Sequence, residues 1–242
     1  MRFVVLHEEG LAVARTIDPS SLTTSLDRHF EAVTARRARR GLPAPQALVR
    51  APGFEYTSGD RALPFHAASV GKLATAILVM QEVESGRMRL TSPVESLLPA
   101  AEVRGLFAAP GATLEHLLAH TSGVADCGGI VTTLDDLARF TRALTDGTLV
   151  RQDTWASMTE PRNRFRPGIR YGLGAMQLRF AGFMPLLRGL PRPVGHLGVL
   201  GVHAFANPAR DTTVILNFHG TREMVTSFQT HIRIQQGLAR VA

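Results

Sequence analysis

The chain has a single cysteine, Cys127, so no internal disulfide can form. No stretch approaches the roughly 18 apolar residues needed to span a membrane. The N-terminal run Phe3-Val4-Val5-Leu6 is too short for the apolar region of a secretory signal, and Glu8 and Glu9 follow at once. A soluble, cytoplasmic protein is therefore expected. Histidine, cysteine and acidic residues nowhere fall at metal-ligand spacing, so no metal and no cofactor are expected. The glycine-rich loops do not follow strands as a nucleotide fingerprint requires. Lysine is nearly absent: of 27 basic residues only Lys72 is lysine, and the other 26 are arginine.

Net charge is +7 and the pI near 11, values that by themselves permit nucleic-acid binding. The arginines are scattered, however, apart from Arg36-Arg37-Ala38-Arg39-Arg40. That cluster reads as the solvated end of a helix, and no aromatic residues alternate with it as in a nucleic-acid surface. No nucleic-acid partner is expected.

The one lysine stands three residues after a serine, in Pro64-Phe65-His66-Ala67-Ala68-Ser69-Val70-Gly71-Lys72. The apolar run 73–80 follows and reads as a buried helix. Residues three apart share a helix face, so the amine would sit beside the hydroxyl. A serine hydroxyl needs a neighbouring base to become a nucleophile. A lysine amine can serve when burial or a nearby cation favours its neutral form, whereas arginine does not deprotonate in proteins. Lys72 is also the only charged residue between His66 and Glu82.

Strand patterns occur over residues 3–6, 11–17, 46–50 and 53–57, and again over 171–180, 194–197, 202–206 and 212–218. Helical patterns lie over 21–40, from Ser69 to about 86, over 90–98, 113–119, 133–145 and 154–158, and over 222–239. Strands thus lie at both ends with helices between. The expected fold is α+β: an antiparallel sheet built from both termini, packed by the first and last helices, with a helical subdomain inserted. The expected division assigns 1–68 and 165–242 to the sheet domain and 69–164 to a reduced helical subdomain. Residues 188–193 read as a loop or flap.

Several stretches, in order, resemble the serine β-lactamase and penicillin-binding-protein superfamily, closest to its class C β-lactamase-like group, which includes family VIII esterases. The nucleophile motif is resembled by 65–72 and the L-D-D-P-V segment by Leu90-Thr91-Ser92-Pro93-Val94. Residues 113–123 resemble I-x-x-L-L-x-H-T-S-G, and 128–140 resemble G-G-l-x-S-T-x-x-D-L-A-R-F. Tyr171-Gly172-Leu173-Gly174 matches Y-G-L-G, and Gly195-His196-Leu197-Gly198 resembles G-H-S-G. The resemblance implies a β-lactamase/transpeptidase-like fold. It implies Ser69 as acylated nucleophile, Lys72 as its proton partner, and the backbone N–H groups of Ser69 and Val199 as oxyanion hole. His196 and Gly198 would wall the substrate site. Trp155 and Phe165 read as core packing, with lining of an acyl pocket as the alternative, and His120 as a structural loop residue.

The superfamily's Tyr-x-Asn motif is missing, because Gly123 is followed almost at once by Gly128-Gly129. Tyr171 and Asp126 are the candidates to replace its proton transfer, beside the reading that Lys72 and water suffice. A homodimer would fill the space left by the deletion. Leu197 stands where a small hydroxyl residue is usual, which disfavours β-lactams and favours a neutral, apolar acyl group. The expected activity is hydrolysis of small or medium acyl esters, a small-molecule substrate, with D-amino-acid peptidase or acyltransferase chemistry as alternatives. A degenerate relative that binds its ligand without turnover is the reading from another class.

Overall fold

The computed structural model describes residues 18–98, 111–122 and 129–241. The strand patterns over 3–6 and 11–17, together with Asp126 and Cys127, lie outside them. Among the described residues one sheet has eight strands, every neighbouring pair antiparallel. These are β1 (Gln46–Ala51), β2 (Phe54–Ser58), β5 (Asn163–Arg166), β6 (Ile169–Tyr171), β7 (Met176–Leu178), β8 (Val194–Gly198), β9 (Val202–Asn207) and β10 (Thr212–Asn217). Across the sheet the order is β2-β1-β10-β9-β8-β7-β6-β5. Two short strands, β3 (Phe65–His66) and β4 (Val131–Thr132), pair apart from it.

Alternation along the central strands divides two cores. On β1, Ala47 and Val49 face one cluster and Leu48 faces another; on β10, Val214 and Leu216 go with the first and Ile215 with the second. The first cluster is closed by helix α1 (Pro19–Ala38), through Leu22, Leu26, Phe30 and Val33, and by Ile234 of a C-terminal helix, Met224–Leu238. In the second cluster lie Phe65 and Val70 near the serine, with Leu134, Leu137 and Ala138 of a helix over Leu134–Thr145. The result is a mixed helix and antiparallel-sheet protein with helices on both faces. In chain order the helices are α1, α2 (Gly71–Glu84), α3 (Leu114–Leu118), α4 (Leu134–Thr145), α5 (Gln152–Thr159) and α6 (Met224–Leu238).

Two expectations change. The arginine-rich end of α1 is not wholly solvated, because Arg37 is 1% exposed. Its guanidinium donates to the Phe218 carbonyl at 2.6 Å and to the Pro43 carbonyl at 2.9 Å, and lies 2.9 Å from the buried Glu223 carboxylate. It fastens the helix end to β10 and to the turn before α6.

The pattern over 171–180 is two strands rather than one. Gly172 to Ala175 form a turn whose backbone bonds to the helices: Leu173 N–H donates to Met158 O at 2.8 Å and Gly174 N–H to Leu118 O at 2.7 Å. Gly174 is left-handed (φ 67°), and a side chain there would strike Ala76 of α2. Only glycine lets this turn plug the sheet into the helical layer.

Candidate active site

The segment before the serine is held as a strand. Phe65 and His66 pair with Thr132 and Val131, and Ala67 N–H donates to Ile130 O at 2.8 Å. Ala68 then turns into the left-handed region (φ 50°), which costs a residue with a side chain about 1–2 kcal/mol. The His66 ring offsets that cost, since Nδ1 accepts the Ala68 N–H at 3.0 Å. The ring itself lies against Gly129, where a Cβ would meet it. This left-handed step leads into the 3₁₀ turn Ala68–Val70, which carries Ser69 and runs into α2. One turn on, Lys72 Nζ donates to Ser69 Oγ at 3.0 Å. Both residues are half-buried.

β8 lies against this turn. A Cβ on Gly198 would meet Ala67 O at 2.6 Å and Ala68 Cβ at 3.1 Å, so the glycine permits the approach. Val199 follows at the start of the turn closed by Gly201 N–H donating to Gly198 O, and it is 56% exposed. Leu197 belongs to the apolar cluster with Tyr171, Leu178 and Phe205.

His196 is 1% exposed and has two partners. Nδ1 lies 2.7 Å from the Leu197 carbonyl, which can only accept. Nδ1 therefore carries the proton, and Nε2 accepts from the Tyr171 hydroxyl at 2.9 Å. Burial, with smaller contributions from the Lys72 and His120 charges, pushes the imidazole down to about 3, while the Leu197 carbonyl works the other way. At neutral pH the ring is uncharged. Lys72 and His120 are thus both within electrostatic reach of the Tyr171–His196 pair.

His120, left-handed at φ 56° beyond the end of α3, packs with its ring centre 4.5 Å from that of Tyr171, tilted by 59°. Phe165 completes the group, 6.0 Å from Tyr171 and 6.4 Å from His120. Phe165 is 44% exposed and belongs to a surface rim, contrary to the expectation of core packing; Trp155 does lie in the core. Of the proton-transfer candidates Tyr171 joins this group, while Asp126 is outside the described residues. His66 reads from its sequence context as a strand or rim residue and does stand in β3; its bond to the Ala68 N–H depends on the left-handed turn beside it, which no spacing in the sequence shows. Among the described residues, no group of three His, Cys, Asp or Glu comes together as a metal site, and no helix is long and apolar enough to cross a membrane.

The sheet order, the serine turn and the helical layer define a β-lactamase/transpeptidase fold, and comparison with known proteins agrees. The family described as Beta-lactamase matches residues 60–128. Penicillin-binding protein 4 of Amycolatopsis lactamdurans is 42% identical over 105 residues, which are 43% of this chain. The match covers 27% of that protein, so the chain spans about a quarter of its curated relative. A D-stereospecific amidohydrolase from Streptomyces sp. superposes with a TM-score of 0.65 at 18% identity, covering 82% of this chain and 94% of that one. EstCE1, a hydrolase with promiscuous acyltransferase activity, superposes with a TM-score of 0.70 at 13% identity, covering 89% and 99%. Over residues 60–128 the chain thus resembles the Beta-lactamase family, and its fold is that of the β-lactamase and penicillin-binding-protein-like proteins.

Proposed function

We propose that this chain is a serine hydrolase that forms an acyl-enzyme on Ser69 and acts on small or medium acyl esters, as family VIII esterases in the class C-like group do. The observation that carries this reading is the 3.0 Å contact between Ser69 Oγ and Lys72 Nζ, made by the only lysine in the chain. Lys72, in its amine form, takes the Ser69 proton as Oγ bonds to the ester carbonyl carbon. The negative oxygen is held by the N–H groups of Ser69 and Val199. Collapse breaks the bond to the leaving alcohol, and Lys72 returns its proton to that oxygen. Water then attacks the acyl-enzyme by the same route, releasing the acid and free Ser69.

Tyr171 and His196 act as one neutral positioning unit beside Lys72. His196 has no surface for direct substrate contact. Phe165, with the exposed His120 ring beside it, offers an aromatic rim for the acyl group. Leu197 is occupied in the apolar cluster, so β-lactams should be poor substrates.

The test is p-nitrophenyl butyrate hydrolysis beside Ser69→Ala, with intact-mass detection of a fluorophosphonate adduct and nitrocefin as comparison substrate. Ester turnover and a single adduct, both lost in the variant, with nitrocefin turned over more slowly, are expected. An adduct without turnover would mean that Ser69 is activated but that deacylation fails without the Tyr-x-Asn motif, or that the natural acceptor is not water. Neither adduct nor turnover would favour a ligand-binding protein without chemistry.

A further inference from the structure

β5 is an edge strand of the sheet, and its register sets Arg164 directly opposite Arg170 on β6. Arg170 in turn lies opposite Gln177 on β7. Residues directly opposite one another share a face, so the three make one cross-strand row. Arg179, two residues beyond Gln177, donates through Nε to Gln177 Oε1 at 2.8 Å. With Pro161, Arg162 and Asn163, the three arginines line a cleft of about 150 Å³. None of these residues belongs to the Ser69 site.

Like charges directly opposite on an antiparallel pair are destabilising. Several other arginines have carboxylate partners: Arg50 and Arg61 with Glu55, Arg61 with Asp135, Arg87 with Glu82. In the cleft Arg162 has Glu115 at 3.1 Å. Among the described residues Arg164, Arg170 and Arg179 have no carboxylate partner, although Arg170 and Arg179 are half-buried. Guanidinium groups converging without a counter-charge are suited to a planar or tetrahedral oxyanion, which they bind through paired N–H donors.

We propose that this cleft is a binding site for a phosphate-type oxyanion, held by Arg164, Arg170 and Arg179. The bound anion would neutralise the opposed arginines, so binding and sheet-edge stability are linked.

The test titrates the full chain with inorganic phosphate and with citrate at constant ionic strength, following the heat of binding and the midpoint of thermal unfolding. Phosphate is expected to bind saturably, more tightly than citrate, and to raise the midpoint. Arg164→Gln and Arg170→Gln should each weaken that binding by about 10-fold or more. In phosphate-free buffer both variants should unfold no earlier than the parent, because a like-charge pair has been relieved. Unchanged phosphate affinity in the variants, or no saturable binding, would overturn the site. Tighter citrate binding would overturn the phosphate assignment. Vesicles of anionic phospholipid distinguish the source: cosedimentation lost in both variants places the phosphate on a lipid headgroup, and saturable phosphate binding without cosedimentation places it on a soluble molecule.

Discussion

Ser69 and Lys72 are the two residues on which the proposed chemistry depends. Replacing a catalytic serine typically costs several orders of magnitude, so Ser69→Ala should lower ester turnover by about 10³-fold or more. Lys72→Arg separates charge from basicity. It should be as inactive as Ser69→Ala, and a near-parental kcat would make Lys72 a structural cation. Tyr171→Phe removes the hydroxyl that donates to His196 Nε2 and leaves the aromatic ring against His120. If that pair only orients the site, kcat should fall by roughly 10- to 100-fold, with KM and the pH profile of kcat little changed. A shifted limb in that profile would instead make Tyr171 a proton carrier. His66 acts one step further back, through the Ala68 N–H it accepts.

Close approaches that a single Cβ would block hold the elements around the serine. β8 reaches the Ala67-Ala68 turn because Gly198 has no side chain, and the Gly172–Ala175 turn reaches α2 because Gly174 has none. Gly198→Ala would drive a methyl group against Ala67 O. Overpacking of this kind costs about 1–3 kcal/mol, and here the strain would fall on the turn that carries Ser69. Turnover should therefore fall by more than the loss of folded protein accounts for. Thermal unfolding and activity measured on the same sample decide it. The end of α1 depends on a buried charge pair. Arg37→Ala would leave Glu223 buried with only the exposed Arg40 as counter-charge, at a cost of about 3–5 kcal/mol. Chemical denaturation checks that value; a loss below 1 kcal/mol would mean that water reaches Glu223.

At the scale of the molecule, buried histidines link stability to pH. His203 and His231 lie between β9 and α6 with Nδ1 atoms 3.0 Å apart; His203 Nε2 faces Ser227 Oγ at 2.9 Å, and His231 Nε2 faces the Gln235 amide. Because Ser227 donates to Met224 O, one proton order satisfies every atom with both rings neutral. Burial pushes His231 down to about 3 and His203 well below its ordinary value; the neighbouring His231 adds to the latter. In the unfolded chain these rings bind protons near 6.5. Between pH 6.5 and about 3 the unfolded state thus holds more protons. The stability is fully present above pH 6.5 and falls as pH drops, by about 1.4 kcal/mol per pH unit for each ring. Urea unfolding at pH 7, 6, 5 and 4 should trace that slope, and His231→Asn should flatten it. An unchanged slope would assign the acid sensitivity to other groups.

Much of this protein was determined by local sequence. The amphipathic stripe of α1, the alternation of β9 and β10, and the S-x-x-K spacing each follow from the period of a single helix or strand, and all stand close to where the pattern puts them. Tertiary structure alone decided the rest. The two-residue pair β3–β4 is too short to carry a period, and it forms only because 130–132 folds back beside Phe65. The Tyr171–His196 bond and the histidine pair join residues whose separation in sequence says nothing of contact. Phe165 reads as an apolar core residue, but β5 is the edge strand, which leaves one side of that ring open to solvent. Arg37 reads as a surface charge because a helix end usually meets water, whereas here it meets the Glu223 carboxylate and the Phe218 carbonyl from the opposite end of the chain, with the nearby Pro43 carbonyl.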